Sequence, residues 1–380
     1  MNTLLRVISS SKLALALVGL LILFSIMGAV LPQEGRYEAV EISRWQAAHP
    51  FVSKLFKPFG LFHVFHSVLF LIIISLFTVN TLTCTILYLK KEGGVRALWG
   101  KGAMRRHGFL FLHLSLIVIF VGGFLSTAAG MDGYIILTEG QRFTEEHDNY
   151  LRIAAGPLRS EKHKGFTLRL NKIDVEYEQG HFHTGTTVGM EVFRGRERIK
   201  DAVVKVNFPF TFQGIAFTIG KTGFSPRLII REKNSGRVLV NSFVALKTFT
   251  KGNRREYRDF LPLPFFKQRT IVTFFPQFRR AGGKLEKTGE EVVEPLLLIE
   301  MEEKPGIAAA LGEAPLMGSA EVGDYSFTFA GLRQWVSFRV KADPGYPLVW
   351  FGLLLGFAAI LLRYIPDMRG WFSPESNGGR

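Results

Sequence analysis

With 380 residues, 47% of them apolar, and a formal net charge of +15, the chain can form two or three compact domains, or a membrane part joined to one water-soluble domain. The positive balance raises nucleic acid as a partner, but no nucleic-acid motif is present and the basic residues gather at the edges of apolar runs, which sets that class aside. The single cysteine, Cys84, excludes an internal disulfide and a thiol-redox pair.

Four segments, 13–31, 67–89, 107–131 and 345–362, contain no Asp, Glu, Lys or Arg. Their lengths lie close to the roughly 20 residues that cross a ~30 Å hydrocarbon core as a helix. The first follows Lys12 and exceeds the about 7 to 15 residues of a signal-peptide core, so it reads as an uncleaved anchor. Between the second and third lie Lys90, Lys91, Arg96, Lys101, Arg105 and Arg106 against Glu92 alone, while Arg6, Lys12, Arg363 and Arg369 flank the outer spans. By the positive-inside rule these short segments and both termini are cytoplasmic, and loops 32–66 and 132–344 face outward. The expected division is therefore 1–131 as an N-terminal membrane region, 132–344 as an extracytoplasmic domain, and 345–380 as the last span with a cytoplasmic tail.

Within the spans one imidazole stands out. His113 lies about six residues, or about 9 Å of helix, above the cytoplasmic end of the third segment. A polar side chain at that depth is expensive and either serves a function or hydrogen-bonds a neighbouring helix; the residues alone leave both open. His63 and His66 open the second segment and, three apart, share a face if the helix already runs there. They read chiefly as interfacial anchors, with His66 retained as a second cofactor-binding candidate. On the order of 25 Å along the membrane normal separates His66 from His113, so the two cannot ligate one iron. His107 contributes to the basic rim, and Cys84 reads as a small apolar filler.

The stretch 132–344 reads as sheet. Apolar residues alternate at Phe166, Leu168 and Leu170 and again at Ile173, Val175 and Tyr177, with a shift near Lys172 that fits a bulge. A hairpin is expected around the turn residues Asn234, Ser235 and Gly236, further strands over 292–301 and 325–340, and a bend at 328–332. A short Ala-rich helix is expected over 306–312. One or two β-sandwich-like units follow, with 32 basic and 26 acidic residues from Asp132 to Asp343, an ordinary solvated mixture. His181 and His183 would point the same way on a strand, but no carboxylate or cysteine completes a metal site, and they read as a hairpin tip. There is no Cys-x-x-Cys-His, phosphate-binding glycine loop, His-Glu-x-x-His helix or Gly-x-Ser-x-Gly elbow.

Taken together, several short stretches resemble the ResB (Ccs-type, System II) family of cytochrome c biogenesis proteins. They are 66–70 and Asn80-Thr-Leu-Thr-Cys84-Thr; 108–115 with His113, and Gly122-Gly123; Glu139-Gly140; 166–170; Asp174-Val-Glu-Tyr-Glu-Gln-Gly180; Val206-Asn-Phe-Pro209 with Gly214; Asp343-Pro-Gly345; and Leu348-Val-Trp350-Phe-Gly352. Each is weak alone, whereas their order, spacing and four-span setting are specific. The resemblance implies a multi-pass α-helical membrane protein with four transmembrane helices and a large all-β extracytoplasmic domain between the third and fourth. It implies a bacterial cytoplasmic membrane location and a non-catalytic subunit that helps to move haem and present it with apocytochrome c for covalent attachment. His113 falls on the family's intramembrane haem ligand, for a transient, non-covalent haem b. The implied partners are a CcsA- or ResC-type membrane subunit carrying the tryptophan-rich segment absent here, apocytochrome c, and a thiol-disulfide reductant protein. A histidine that relatives often carry after the last span is missing from Ile365-Pro-Asp-Met-Arg-Gly-Trp371. The competing expectations are a membrane-anchored extracytoplasmic interaction or sensory protein without haem, and a quinone-linked di-haem oxidoreductase, which needs paired histidines at equal depth.

Overall fold

The computed structural model describes residues 3–33, 39–91, 103–160, 163–178, 182–251, 254–266, 268–304 and 307–368. The chain divides into two compact units, Met1–Thr127 with Pro344–Arg380, and Ala128–Asp343. The first is helical: α1 (Thr3–Ile8), α2 (Ser11–Val30), α3 (Ala39–Ala48), α4 (Pro50–Phe56), α5 (Val68–Lys91), α6 (Ala103–Ala128) and α7 (Tyr346–Met368). Four stretches, Ser11–Val30, Val68–Lys91, His107–Ala128 and Tyr346–Arg363, are helices long and apolar enough to cross a membrane. Most of their surface faces away from the protein, as expected of helices solvated by lipid. Four spans with an all-β region between the third and fourth is the architecture expected above.

Local chemistry explains how these helices begin. Ser10, in extended conformation, accepts from the Lys12 N–H at 3.2 Å and caps α2. The break before it is held from α5: the Asn80 side-chain amide donates to the carbonyls of Ile8 and Ser10, and one turn later the Cys84 thiol donates to the carbonyl of Ser9 at 3.4 Å. Cys84 thus does more than fill space. It and Asn80 bind carbonyls at the α1–α2 break, of which that of Ser10 also accepts from the Ala14 N–H at 3.1 Å. Ser67 starts α5, its hydroxyl accepting from the Phe70 N–H at 3.2 Å.

Ahead of α5 the chain is not yet α-helical, so the condition under which His63 and His66 would share an α-helical face is not met. Leu61–His66 is a 3-10 segment, broken at His63 (φ −139°, ψ 52°). Buried Gln33 imposes this shape, since its amide donates to the Leu61 carbonyl at 3.1 Å and its oxygen accepts from the Val64 N–H at 3.0 Å. A continuous α-helix would direct these groups along its own axis.

The second unit contains two hydrophobic cores on one long ribbon. Strands Ile215–Glu232 and Tyr325–Ala342, each 18 residues, pair antiparallel over nearly their whole length. At one end Ile215, Phe217, Phe338 and Val340 face the four-stranded sheet that contains Thr167–Glu178 and Phe182–Arg194, and Phe166, Leu168, Met190 and Val192 fill the core. At the other, Phe224, Leu228, Phe327 and Phe329 join Tyr257, Phe274, Leu297 and Ile299 of a five-stranded sheet. Between the cores runs a polar layer. Trp335 donates from Nε1 to the Leu246 carbonyl at 2.9 Å, and Thr138 donates to Ser225 Oγ at 3.2 Å. The ribbon shifts register between Phe329 and Gly331 and again between Val336 and Phe338, which bends it from one sandwich into the next.

The expected bulge near Lys172 appears as a register shift between Leu170 and Lys172, and the 233–237 turn joins Ile215–Glu232 to Val238–Phe243. The Ala-rich helix does not form. Ile307–Pro315 is instead a strand paired with Leu296–Lys304, and a side chain at Gly312 would collide with Val322. Small residues here serve close sheet contact, which composition alone cannot separate from helix propensity.

Candidate functional site

On α6, the residues facing α7 are small. A Cβ on Gly108 would lie 3.0 Å from the Ala359 carbonyl, one on Gly122 2.9 Å from the Val349 nitrogen, one on Gly352 3.0 Å from the Ser115 carbonyl, and one on Gly345 would collide with the Gly122 carbonyl. The repeat of seven in 108, 115 and 122 meets its counterpart in 345, 352 and 359, so the antiparallel helices touch backbone to backbone. This seam fixes the rotation of α6 about its axis. The face toward α2 and α5 carries Leu116 and Phe120, packed with Leu17, Ile73 and Phe77.

His113 lies about 140° around α6 from Gly108 at 100° per residue, away from the α7 seam. Its Nδ1 donates to the Phe109 carbonyl at 3.0 Å, and its ring rests on that of Phe109 with centroids 4.1 Å apart. Phe109 in turn contacts Tyr88 of α5 at 4.3 Å. A carbonyl only accepts, so the proton of a neutral imidazole sits on Nδ1 and the lone pair on Nε2. The arrangement presents a half-buried, oriented imidazole beside a flat apolar ring, which in its neutral form is a donor suited to a soft or borderline metal such as haem iron.

The pairs Tyr88–Phe109 and Phe77–Phe120 set the register of α5 against α6, with eleven residues between contacts on each helix. They place His113 level with Cys84. His66, eighteen residues before Cys84, therefore lies about 25 Å away along the helix axis. The His66 backbone closes the 3-10 segment, and its side chain falls outside the described residues, as do those of His181 and His183. Among the described residues no second histidine of another span lies at the level of His113.

A polar cluster that no motif announced occupies the β unit. Fully buried Glu145 accepts at Oε1 from His163 Nδ1 at 2.7 Å and from the Tyr150 hydroxyl at 3.1 Å, and at Oε2 from the Lys164 N–H. The ring of His147 stands 5.8 Å from that of His163. Burial, reinforced by Glu145, pushes the Tyr150 phenol well above its ordinary range. The sequence does not announce this group because its members, from Glu145 to Lys164, follow no periodic pattern.

Several of the family-like stretches are now legible as joints. Glu139 accepts from the Ile173 N–H at 2.9 Å and the Gln334 N–H at 3.1 Å, tying one sheet to the ribbon, while Arg333 donates to its carbonyl at 2.8 Å. Gly108, Gly122, Gly345 and Gly352 form the seam, and Asn80 with Cys84 secures the α1–α2 break.

The model of the ResB-like family matches residues 11–91 and 89–380. The chain belongs to the ResB-like family. Among curated proteins it is 22% identical over 288 residues to a protein of Thermosynechococcus vestitus named cytochrome c biogenesis protein CcsB, covering 74% of this chain and 58% of that one. It is 20% identical to the CcsB protein of Picosynechococcus, over 97% of this chain and 84% of the relative. The cytochrome c biogenesis protein Ccs1 of Porphyra purpurea is 19% identical, over 97% and 89%. The chain thus spans less than two thirds of the Thermosynechococcus protein but most of the other two.

Proposed function

We propose that this ResB-like protein acts in cytochrome c maturation as a non-catalytic membrane subunit, holding haem by His113 while a second membrane protein completes the site. The observation that carries this reading is the tautomer imposed on His113: with Nδ1 committed to Phe109, Nε2 is the atom left to a ligand. Family membership and the names of the relatives support the same reading. Haem is the cargo here, and the chain's part is to orient one axial nitrogen, offer the Phe109 ring as an apolar flank, and leave the opposite axial position to a CcsA- or ResC-type partner.

In this reading the β unit faces the extracytoplasmic side, where apocytochrome c is met, and the basic stretch Lys90 to Arg106 stays in the cytoplasm. Reduction of the apocytochrome thiols falls to a separate thiol-disulfide protein, since Cys84 lies within a span and has no second cysteine. Purification of the complex with His113→Ala tests the ligand role. Loss of most bound haem, or a changed absorption spectrum restored by added imidazole, is expected; unchanged haem content and spectrum would reject it.

A further inference from the structure

Between the first two spans lie two short helices, α3 and α4, separated by His49. The inner side of this segment is well packed: Trp45 and Phe56 rest against Leu31, Leu61 and Val64, and Trp45 meets Phe62 edge-on at 5.8 Å. Among the described residues, three large apolar side chains on it stay uncovered. Phe51 is 80% exposed, Leu55, four residues on, 51%, and Phe59, at the end of the following 3-10 turn Lys57–Phe59, 50%. Residues four apart on a helix share a face, so Phe51 and Leu55 form one apolar strip, continued by Phe59. Lys54 and Lys57 flank it, both exposed. Gly60, at φ 67°, turns the chain sharply back into the clamped Leu61–His66 segment, so the strip is presented by a rigid support rather than a loose loop.

We infer that α4 and its 3-10 extension lie in the plane of the membrane surface, with Phe51, Leu55 and Phe59 seated among lipid acyl chains and Lys54 and Lys57 at the headgroups. Two observations choose lipid over other occupants. The segment leaves the membrane at the end of α2 and re-enters at the start of α5, so it is tethered at both ends to the hydrocarbon edge. Its flanking charges are basic, which suits anionic phospholipid. An amphipathic segment with an apolar strip and lysines at its border is the form that binds such an interface.

The experiment uses the full chain with Cys84→Ala, carrying a single cysteine as Phe51→Cys or Leu55→Cys, and Ser235→Cys on the β hairpin turn as a water-facing control. Each is labelled with an environment-sensitive fluorophore and placed in bilayers of phosphatidylcholine with or without phosphatidylglycerol, after gel filtration matches the parent. Positions 51 and 55 are expected to emit to the blue of position 235, to be quenched by spin-labelled lipid, and to resist aqueous iodide. Adding Lys54→Glu and Lys57→Glu should shift the emission at 51 toward the red in the anionic bilayer. Iodide access equal to that at position 235 would overturn the inference. So would shielding that appears only when a partner subunit is added, which would make the strip a protein interface.

Discussion

At the scale of single residues, chemistry is set by which hydrogen-bond partner a polar group finds. His113 was recognisable because a lone imidazole in an apolar run is costly, but its usable nitrogen became apparent only from the Phe109 carbonyl four residues earlier. Glu145 was not recognisable, since nothing local marks a carboxylate that will be buried by a histidine and a tyrosine from irregular chain. Its loss should be costly. Glu145→Ala strands three donors, from Tyr150, His163 and Lys164, and is expected to destabilise the β unit by about 2–4 kcal/mol. Glu145→Gln keeps an acceptor oxygen but sets an amide donor against existing donors, and should cost about half as much. Denaturant unfolding of the full chain in detergent, followed by tryptophan emission, measures both.

Among elements, packing depends on how closely backbones approach. The α6–α7 seam permits no side chain where Gly345 faces the Gly122 carbonyl, whereas a Cβ on neighbouring Gly123 meets nothing within 4 Å. Gly345→Ala should therefore push the helices apart and lower the thermal midpoint of the detergent-solubilised protein, at a cost of about 2 kcal/mol or more. Gly123→Ala should leave the midpoint unchanged. Both glycines lie in stretches that marked the family resemblance, yet only the register of one helix against the other tells which is structural. The Ala-rich strand Ile307–Pro315 makes the same point. Its composition suits a helix, but its backbone groups are taken by the ladder to Leu296–Lys304.

For the whole molecule, the β unit couples its two sandwiches through a shared ribbon and carries buried or half-buried phenols in both. Tyr150, Tyr177 and Tyr257 are all held above the ordinary tyrosine range of 10.0, first by burial. For a group whose folded pKa is raised, the native state holds the proton longer than the unfolded chain. The stabilisation is full below pH 10 and declines as pH rises above the unfolded value toward the folded one. Unfolding midpoints should thus fall steeply above about pH 10, and the tyrosinate absorbance of these residues should rise together with unfolding rather than before it. Tyrosinate formed by Tyr150, Tyr177 or Tyr257 in a still folded β unit, read by comparison with the Tyr→Phe variant of each, would contradict the burial assigned to them. The four apolar spans, the sheet character of the stretch between the third and fourth, and the single deep histidine were determined by the sequence itself, because length, missing charge and alternation are local properties written along the chain. The two-core ribbon, the small-residue seam, the carboxylate cluster and the direction of the His113 nitrogen were decided only by tertiary structure, because each depends on groups far apart in sequence competing for the same space or the same proton.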